Sequence, residues 1–523
     1  MSAVKTFVFE KKNFQSIKAY HFGKDWPVVY ILEGKKEAYI GESVSVYQRS
    51  KQHYDNNERS KLDNIHIIAD VDYNKSATLD IEAMLIKYIS ADGKFILQNG
   101  NSGLKDHNYY DREKYKAKFK QIIWPALQEK KLVSKNIEEI ENSDLFKYSP
   151  YKSLTEDQLM IAEEICHNLK KDLHLTHVVS GKPGTGKTIL AIYLVKYLKE
   201  HKDFKHLNVG LVVPMTPLRK TVKKVFKNIK NLKALMVIGP NDVVKENYDL
   251  LIVDEAHRLV RRKNITNYKA FDDINKNLGF SKNSTSLDWI IKSSKYQILF
   301  YDKDQSVKPS DIRPADFRKL NKKFYNLYSQ MRVKGGEEYI EFIEKLFTQE
   351  SVKEMNFSNY DFQLYNNLEL MVKDIKEKNK MHGLSRVVAG YAWPWHTKKG
   401  SRDYDIDING IKLIWNSTIV DFINSPNAVN EVGCIHTVQG YDLNYVGVII
   451  GPEISYDKDN DKLLINKEKY FDINGRKGVT NINELKQYII NIYKTLLTRG
   501  ILGTYVYIVD EDLRNYFQNK IES

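Results

Sequence analysis

Cysteine is nearly absent: Cys166 and Cys434 are the only two in 523 residues, far apart and without metal-ligand spacing. That argues against a disulfide framework or a cysteine zinc site and points to a reducing cytoplasm. No apolar run approaches the roughly 20 residues that span a bilayer, so no membrane partner is expected. The opening MSAVKTFVFEKKNF has neither the apolar core nor the small-residue cleavage site of a secretory signal. Repeats at solenoid periods are missing too. Acid is in deficit, 67 Asp and Glu against 81 Lys and Arg, and the formal net charge of +14 favours a polyanionic partner. Tyrosine, by contrast, is plentiful at 34 residues, available for base stacking or for half-buried places in strands and helices. A hydrophobic content of 42% with 28% charged residues excludes extended disorder. The length calls for about three domains.

Residues 1–110 mix short strands (VVYIL, EAYIG, IHIIAD) with helices and end near the Gly/Asn-rich QNGNSG. A charged, helix-prone connector follows over 111–150, punctuated by Pro150. From 151 on, continuous apolar runs alternate with helical stretches: HVVSG, VGLVVP, DLLIVDE, YQILFYD, SRVVAGY, EVGCIHT, YVGVIIG and GTYVYIV. Such runs are the mark of parallel strands covered on both faces. Eight of them imply two lobes, 151–315 and 316–523. The expected class is α/β, a small α+β domain followed by two parallel-sheet lobes.

The segment HVVSGKPGTGKTILAIYLV places Gly181-Lys182-Pro183-Gly184-Thr185-Gly186-Lys187-Thr188 between a strand and an apolar helix. This is G-x-x-x-x-G-K-[ST] in its required context. Glycines there let backbone N–H groups turn inward around phosphates at a helix N-terminus. Lys187 adds a mobile positive charge, and Thr188 offers a hydroxyl to Mg²⁺. YDLLIVDEAHRL supplies the partner: Asp254 and Glu255 emerge where ligands of open α/β sheets bind. Asp254 suits a water-mediated hold on Mg²⁺, and Glu255 suits polarisation of the attacking water. ATP and Mg²⁺ are therefore the expected ligands.

Over 151 to about 515 the chain resembles superfamily 1 helicases, more narrowly the Schlafen group 3 helicase-like domain, whose lobes are RecA-like. The matching pieces stand in family order. The resemblance makes Gln158 of LTEDQ an adenine reader and Gln305 of FYDKDQ a sensor of the γ-phosphate. It makes Arg332 of YSQMR and Arg499 of LLTRG a γ-phosphate clamp reaching across from the second lobe. His436, Thr437, Gln439, Gly440 and Asp442 of GCIHTVQGYD would couple the nucleotide to the strand. VVPMTPLRK resembles the loop that touches nucleic acid; Arg219 and Lys220 could grip a phosphate there or lie in water. Tyr301 replaces the usual glycine before Asp302, and Gly500 the usual alanine after Arg499.

The hairpin VVYILEGKKEAYIGESVSVYQRSKQH resembles the GIY-YIG nuclease domain over roughly 25–102, although its first element reads Val-Val-Tyr. Arg49 and His53 lie four apart and so share a helix face. The resemblance implies that Tyr30 or Tyr39 orients or deprotonates the attacking water. Arg49 would then steady the pentacovalent phosphate. Glu82, expected in the first turn of SATLDIEAMLIKYI, would hold a single hydrated cation, Mg²⁺ or Mn²⁺. His53 and Asn99 complete the set. The combined reading is an ATP-driven translocase or helicase joined to a metal-dependent endonuclease. Its partner is nucleic acid, DNA ahead of RNA, in the manner of bacterial antiphage defence proteins. A second copy of the chain or another defence protein could join it. The alternatives are an ATPase switch whose N-terminal domain binds without cutting, and an RNA-directed enzyme.

Overall fold

The computed structural model describes residues 4–99, 109–350, 357, 359–399 and 403–522; most of QNGNSG lies outside them. The chain forms two compact units. One comprises the chain up to Ala162 with Ile192–His206 and Val222–Met236. The other comprises Glu163–Ala191, Leu207–Thr221 and the chain from Val237 onward.

The first unit carries a five-stranded sheet in the order Val4–Val8, Asn64–Ile68, Val28–Glu33, Glu37–Ser43, Ile96–Leu97. Its pairs are antiparallel except the last. The central hairpin sets Tyr30 opposite Gly41 and Leu32 opposite Tyr39, so both tyrosines face the same side. Gly41 has a steric reason: a Cβ there would collide with the Tyr30 hydroxyl. Under that face, Phe9, Phe14, Ile17, Phe22, Val46 and Ile67 form a closed apolar core with Tyr30. The helix Val46–Tyr54 follows the hairpin, and the long helix Lys75–Asp92 is capped by the Asn74 side chain, which accepts from the Ala77 N–H. That cap corrects one expectation. Because the helix starts at Lys75, Glu82 sits two turns in, not in the first turn. The connector is helical over Arg112–Lys118 and Trp124–Glu129, with a π-turn between them.

The second unit holds two all-parallel sheets. The first runs Lys322–Leu327, Thr176–Gly181, Ser294–Tyr301, Tyr248–Val253, Val209–Val212, Val237–Ile238. The other runs Asp361–Tyr365, Gly500–Ile508, Leu443–Ile450, Arg386–Ala389, Val432–Cys434. Central strands such as Leu250, Leu251, Ile252 and Val253 are fully buried, which is why they read as unbroken apolar runs. The lobe change expected at 315 comes too early, since Lys322–Leu327 is still an edge strand of the first sheet. An edge strand faces solvent, and KKFYNL alternates rather than running apolar. Among the described residues, no helix is long and apolar enough to cross a membrane.

Candidate functional site

Three neighbouring strands of the first sheet end at one edge, and each delivers part of one centre. Thr176–Gly181 leads into the glycine-rich loop, Tyr248–Val253 into Asp254 and Glu255, and Ser294–Tyr301 into Asp302. Gly184 (φ +88°) and Gly186 (φ +75°) occupy the left-handed region, where a side chain would strain the backbone. Lys187, buried to 6% exposure at the start of the helix Lys187–Glu200, folds back over the loop. Its Nζ donates to the Lys182 carbonyl at 3.0 Å and to Asp302 Oδ2 at 3.3 Å. The same Asp302 oxygen accepts from Gln305 Nε2 at 2.7 Å, so Gln305 and Lys187 share one carboxylate.

Thr188 Oγ1 donates to Asp254 Oδ2 at 2.8 Å. The other Asp254 oxygen is buried without a partner, and burial with the neighbouring Glu255 charge pushes this carboxyl up. A hydroxyl and a carboxylate with an unfilled oxygen, beside a lysine, form a donor set that suits Mg²⁺. Glu255 adopts φ +51°, a strained conformation for a side chain of its size. Burial works against its charge, but His257, Lys187 and Arg499 outweigh it and hold the carboxyl well below the usual range. His257 Nε2 stands 3.0 Å from Glu255 Oε2.

The second sheet reaches the same centre through several residues. Arg499 is 1% exposed; Nε donates to the Thr495 carbonyl and Nη1 to the Tyr441 carbonyl, both at 3.3 Å. Asp442, at the start of the second sheet's strand Leu443–Ile450, forms an ion pair with Nε of Arg332, which lies on the segment joining the two sheets. Gly440 (φ +89°) brings its backbone against Met215 and Leu218 of the MTPL loop. Gln439 accepts a hydrogen bond from Arg258, whose other nitrogen holds Asp311 at 2.9 Å. His436 pairs with Asp472 at 3.0 Å, and the Thr437 hydroxyl accepts from the Cys434 N–H at 3.0 Å.

Two other expected residues are held by local partners. Gln158, fully buried in the first unit, accepts from the Thr155 N–H at 3.1 Å as the helix Glu156–Lys170 begins. Arg219 donates to the Val213 and Pro214 carbonyls and to Thr216, which braces the MTPL loop, while Lys220 is exposed.

Sequence reasoning missed Gln330 and Arg258. Gln330 Nε2 donates to the Pro183 carbonyl at 2.8 Å, and the Met331 N–H to the Gly184 carbonyl at 2.9 Å, so this strand-end segment is stitched to the loop. Both residues stood inside quoted motifs, YSQMR and DEAHR, but only a buried partner reveals their purpose.

The first unit gathers a second constellation. Tyr30, 1% exposed, lies 2.7 Å from His53 Nε2 through its hydroxyl, and the Tyr39 ring stands edge-on to His53 at 4.9 Å. Arg49 reaches both phenol hydroxyls. Arg59, another residue the sequence did not single out, stacks its guanidinium 3.9 Å from the Tyr39 ring centre and donates to His53 Nδ1 at 2.9 Å. Burial, Arg59 and Arg49 push His53 down to about 3, so the imidazole is neutral. Arginine has only donors, which makes Nδ1 the acceptor and puts the ring proton on Nε2. That proton points at the Tyr30 oxygen. Burial and Tyr39 raise the Tyr30 phenol, against a smaller opposing pull from Arg49.

Glu82 is half-buried, and burial with the Glu42 charge pushes it up to about 7. Glu42 also has a buried oxygen without a partner, and its backbone N–H donates to Glu82. Two carboxylates suit one hydrated cation; among the described residues no group of three or more His, Cys, Asp or Glu is placed to hold a metal. Asn99 clips onto the hairpin, accepting from the Ile40 N–H at 3.0 Å and donating to the Ile40 carbonyl at 2.7 Å.

Residues 175–510, more than half of the chain, match the family described as Schlafen group 3, DNA/RNA helicase domain. An uncharacterised protein of Saccharomyces cerevisiae is 26% identical over 387 residues, 64% of this chain and 82% of that protein. Among solved structures, the Pif1 helicase of Candida albicans aligns with 70% of this chain and 99% of its own, at 11% identity and a TM-score of 0.29. A DEAD box protein of the hyperthermophile Methanococcus jannaschii aligns with 72% and 93%, at 14% identity and a TM-score of 0.25.

Proposed function

The chain belongs to the Schlafen group 3 family of DNA/RNA helicase domains, and on that premise we propose that it is an ATP-driven translocase on nucleic acid whose N-terminal domain cuts the strand. The observation that carries the motor is the set of ties between the two parallel sheets: Arg258 on Gln439, and Arg499 within electrostatic reach of Glu255.

The glycine-rich loop and the first turn of Lys187–Glu200 offer backbone donors to the phosphates of ATP. Lys187 exchanges carbonyl and Asp302 partners for phosphate oxygens. Glu255, held ionised, accepts a proton from the attacking water. Mg²⁺, when bound by Thr188 and Asp254, supplies charge neutralisation at the phosphates. Arg499 comes from the second sheet and Arg332 from the segment that joins the two sheets, so neutralising the γ-phosphate and closing the sheets are one event. The Arg332–Asp442 pair is then a resting contact, and Arg332 leaves it for phosphate.

In the N-terminal domain, Tyr30 is the water-orienting group: burial keeps its phenol protonated, and two donors, His53 Nε2–H and Arg49, converge on its oxygen and leave its O–H to point at the water. Arg49 exchanges its contacts with the phenols and with Gln52 for the phosphate it steadies. Glu82, with Glu42, is the metal-holding pair, and a cation bound there supplies stabilisation of the leaving oxygen. DNA is the favoured strand and foreign DNA, as in antiphage defence, the favoured target. The test is ATP hydrolysis with single-stranded DNA, duplex DNA and RNA side by side, together with plasmid cleavage in Mg²⁺ by wild type and Glu82→Ala. Stimulation by none of the three would reject the motor; equal cleavage by both proteins would reject the nuclease.

A further inference from the structure

The outer side of the helix Val46–Tyr54 carries a group of residues that neither centre uses. Three ammonium groups converge on one phenol ring: Lys51 Nζ lies 4.6 Å from the centre of the Tyr47 ring, Lys24 Nζ 5.6 Å and Lys18 Nζ 5.8 Å. They come from separate places, the last turn of the helix Phe14–Ala19, the turn after it, and the helix Val46–Tyr54 itself. The Tyr47 N–H donates to the Gly23 carbonyl at 3.1 Å, which fixes the helix start to the turn that carries Lys24. Tyr47 is buried at 6% exposure and forms the floor; the lysines above it are exposed. Among the described residues, none of the three has an ion pair with a carboxylate.

Three like charges gathered over one ring repel one another. The ring face offsets part of that repulsion, and an anion seated among the ammonium groups removes the rest. The geometry fits a compact, multiply accepting anion, and a phosphodiester has that form. The same helix bears Arg49 and His53 on the side opposite Tyr47, so a backbone phosphate held here lies across the helix, about 10–12 Å, from the tyrosine centre.

We propose that Lys18, Lys24 and Lys51, arranged around Tyr47, form a phosphate-binding subsite that anchors a nucleic-acid backbone across the helix Val46–Tyr54 from the tyrosine centre. The subsite rests on the reading of the N-terminal domain as a nucleic-acid module but does not require that the domain cut. Tyr47 is buried and offers no ring for insertion between lipid tails, which favours a nucleic-acid backbone over a membrane surface.

The experiment compares the full-length chain with the triple variant Lys18→Gln/Lys24→Gln/Lys51→Gln. Binding to fluorescent single-stranded DNA, duplex DNA and RNA of one sequence is read by anisotropy between about 50 and 200 mM salt. The expected result is at least about a tenfold loss of affinity at the low-salt end. The slope of log K against log salt should also become shallower by about 2 to 3, in line with three lost phosphate contacts. Lys51→Gln alone should reduce the slope by about 0.7–0.9. An unchanged slope in a triple variant that melts like wild type would overturn the subsite. Intact nucleic-acid binding with lost binding to phosphatidylserine vesicles would also overturn it, in favour of a membrane surface. Glu82→Ala separates the two readings: a variant that has the full slope whether or not it cuts leaves the subsite standing if the nuclease reading fails.

Discussion

The two centres of this chain manage charge in opposite ways. Around the glycine-rich loop, opposite charges are buried together: Lys187 with Asp302, and Arg258 with Asp311. Around the tyrosine hairpin, the buried groups are the Tyr30 phenol and the His53 imidazole, both neutral, while the cations Arg49 and Arg59 remain half-exposed. A buried ion pair that loses one member leaves an uncompensated charge and costs about 3–5 kcal/mol, whereas a neutral cluster can lose a rim cation at little cost in stability. Activity and stability should therefore fall together in the first centre and separate in the second.

The largest effect is expected for Lys187→Ala. Nucleic-acid-stimulated ATP hydrolysis should vanish, and the stranded Asp302 should lower stability by about 3 kcal/mol, read by urea denaturation. A loss of hydrolysis with no loss of stability would break the contrast on its charged side. Arg499→Ala should reduce kcat for ATP by about a thousandfold, as expected of an arginine that stabilises the transferring phosphoryl group.

Glu82→Gln should weaken Mn²⁺ binding and metal-dependent cleavage by at least about a hundredfold, yet leave stability at pH 8 undiminished. The sign follows from its raised pKa. Folded, Glu82 keeps its proton up to about 7; unfolded, it releases it near the usual value of about 4.3. Its contribution is therefore fully present below the unfolded value and is lost as pH rises through about 7. Wild-type Mn²⁺ affinity should fall about tenfold for each pH unit below about 7, and titration calorimetry would show it.

Arg59→Ala should reduce cleavage by about tenfold and let the His53 proton move between ring nitrogens, visible in the ¹⁵N shifts of the imidazole, with the melting temperature nearly unchanged. If the ring proton stays on Nε2 in that variant, Arg59 does not set the tautomer. The smallest effect is for Gly41→Ala, about 1–3 kcal/mol of stability from overpacking against Tyr30, measured by thermal melting.

Legibility followed burial. Strands buried on both faces, such as DLLIV and YVGVII, announced themselves as apolar runs, and the loop and the acidic pair stood at fixed offsets from them. The edge strands Val4–Val8, Lys322–Leu327 and Asp361–Tyr365 did not, because half of each faces solvent and the pattern dilutes. Site residues defined by position along one element, such as Arg49 and His53, could be read from spacing. Those defined by a partner distant in sequence could not: Gln330 meets Pro183 across 147 residues and Arg258 meets Gln439 across 181. Arg59, only six residues past His53, escaped for another reason: it comes from a separate short turn, Arg59–Lys61, where helical spacing predicts nothing.

The double grip of Arg258 has a mechanical corollary. A planar guanidinium with one nitrogen on Asp311 and another on Gln439 cannot swivel without dropping one of them. Hydrogen bonds fade within about 1 Å of stretch, so the link behaves as a latch rather than a spring: whole until the sheets part by that small distance, then released at once.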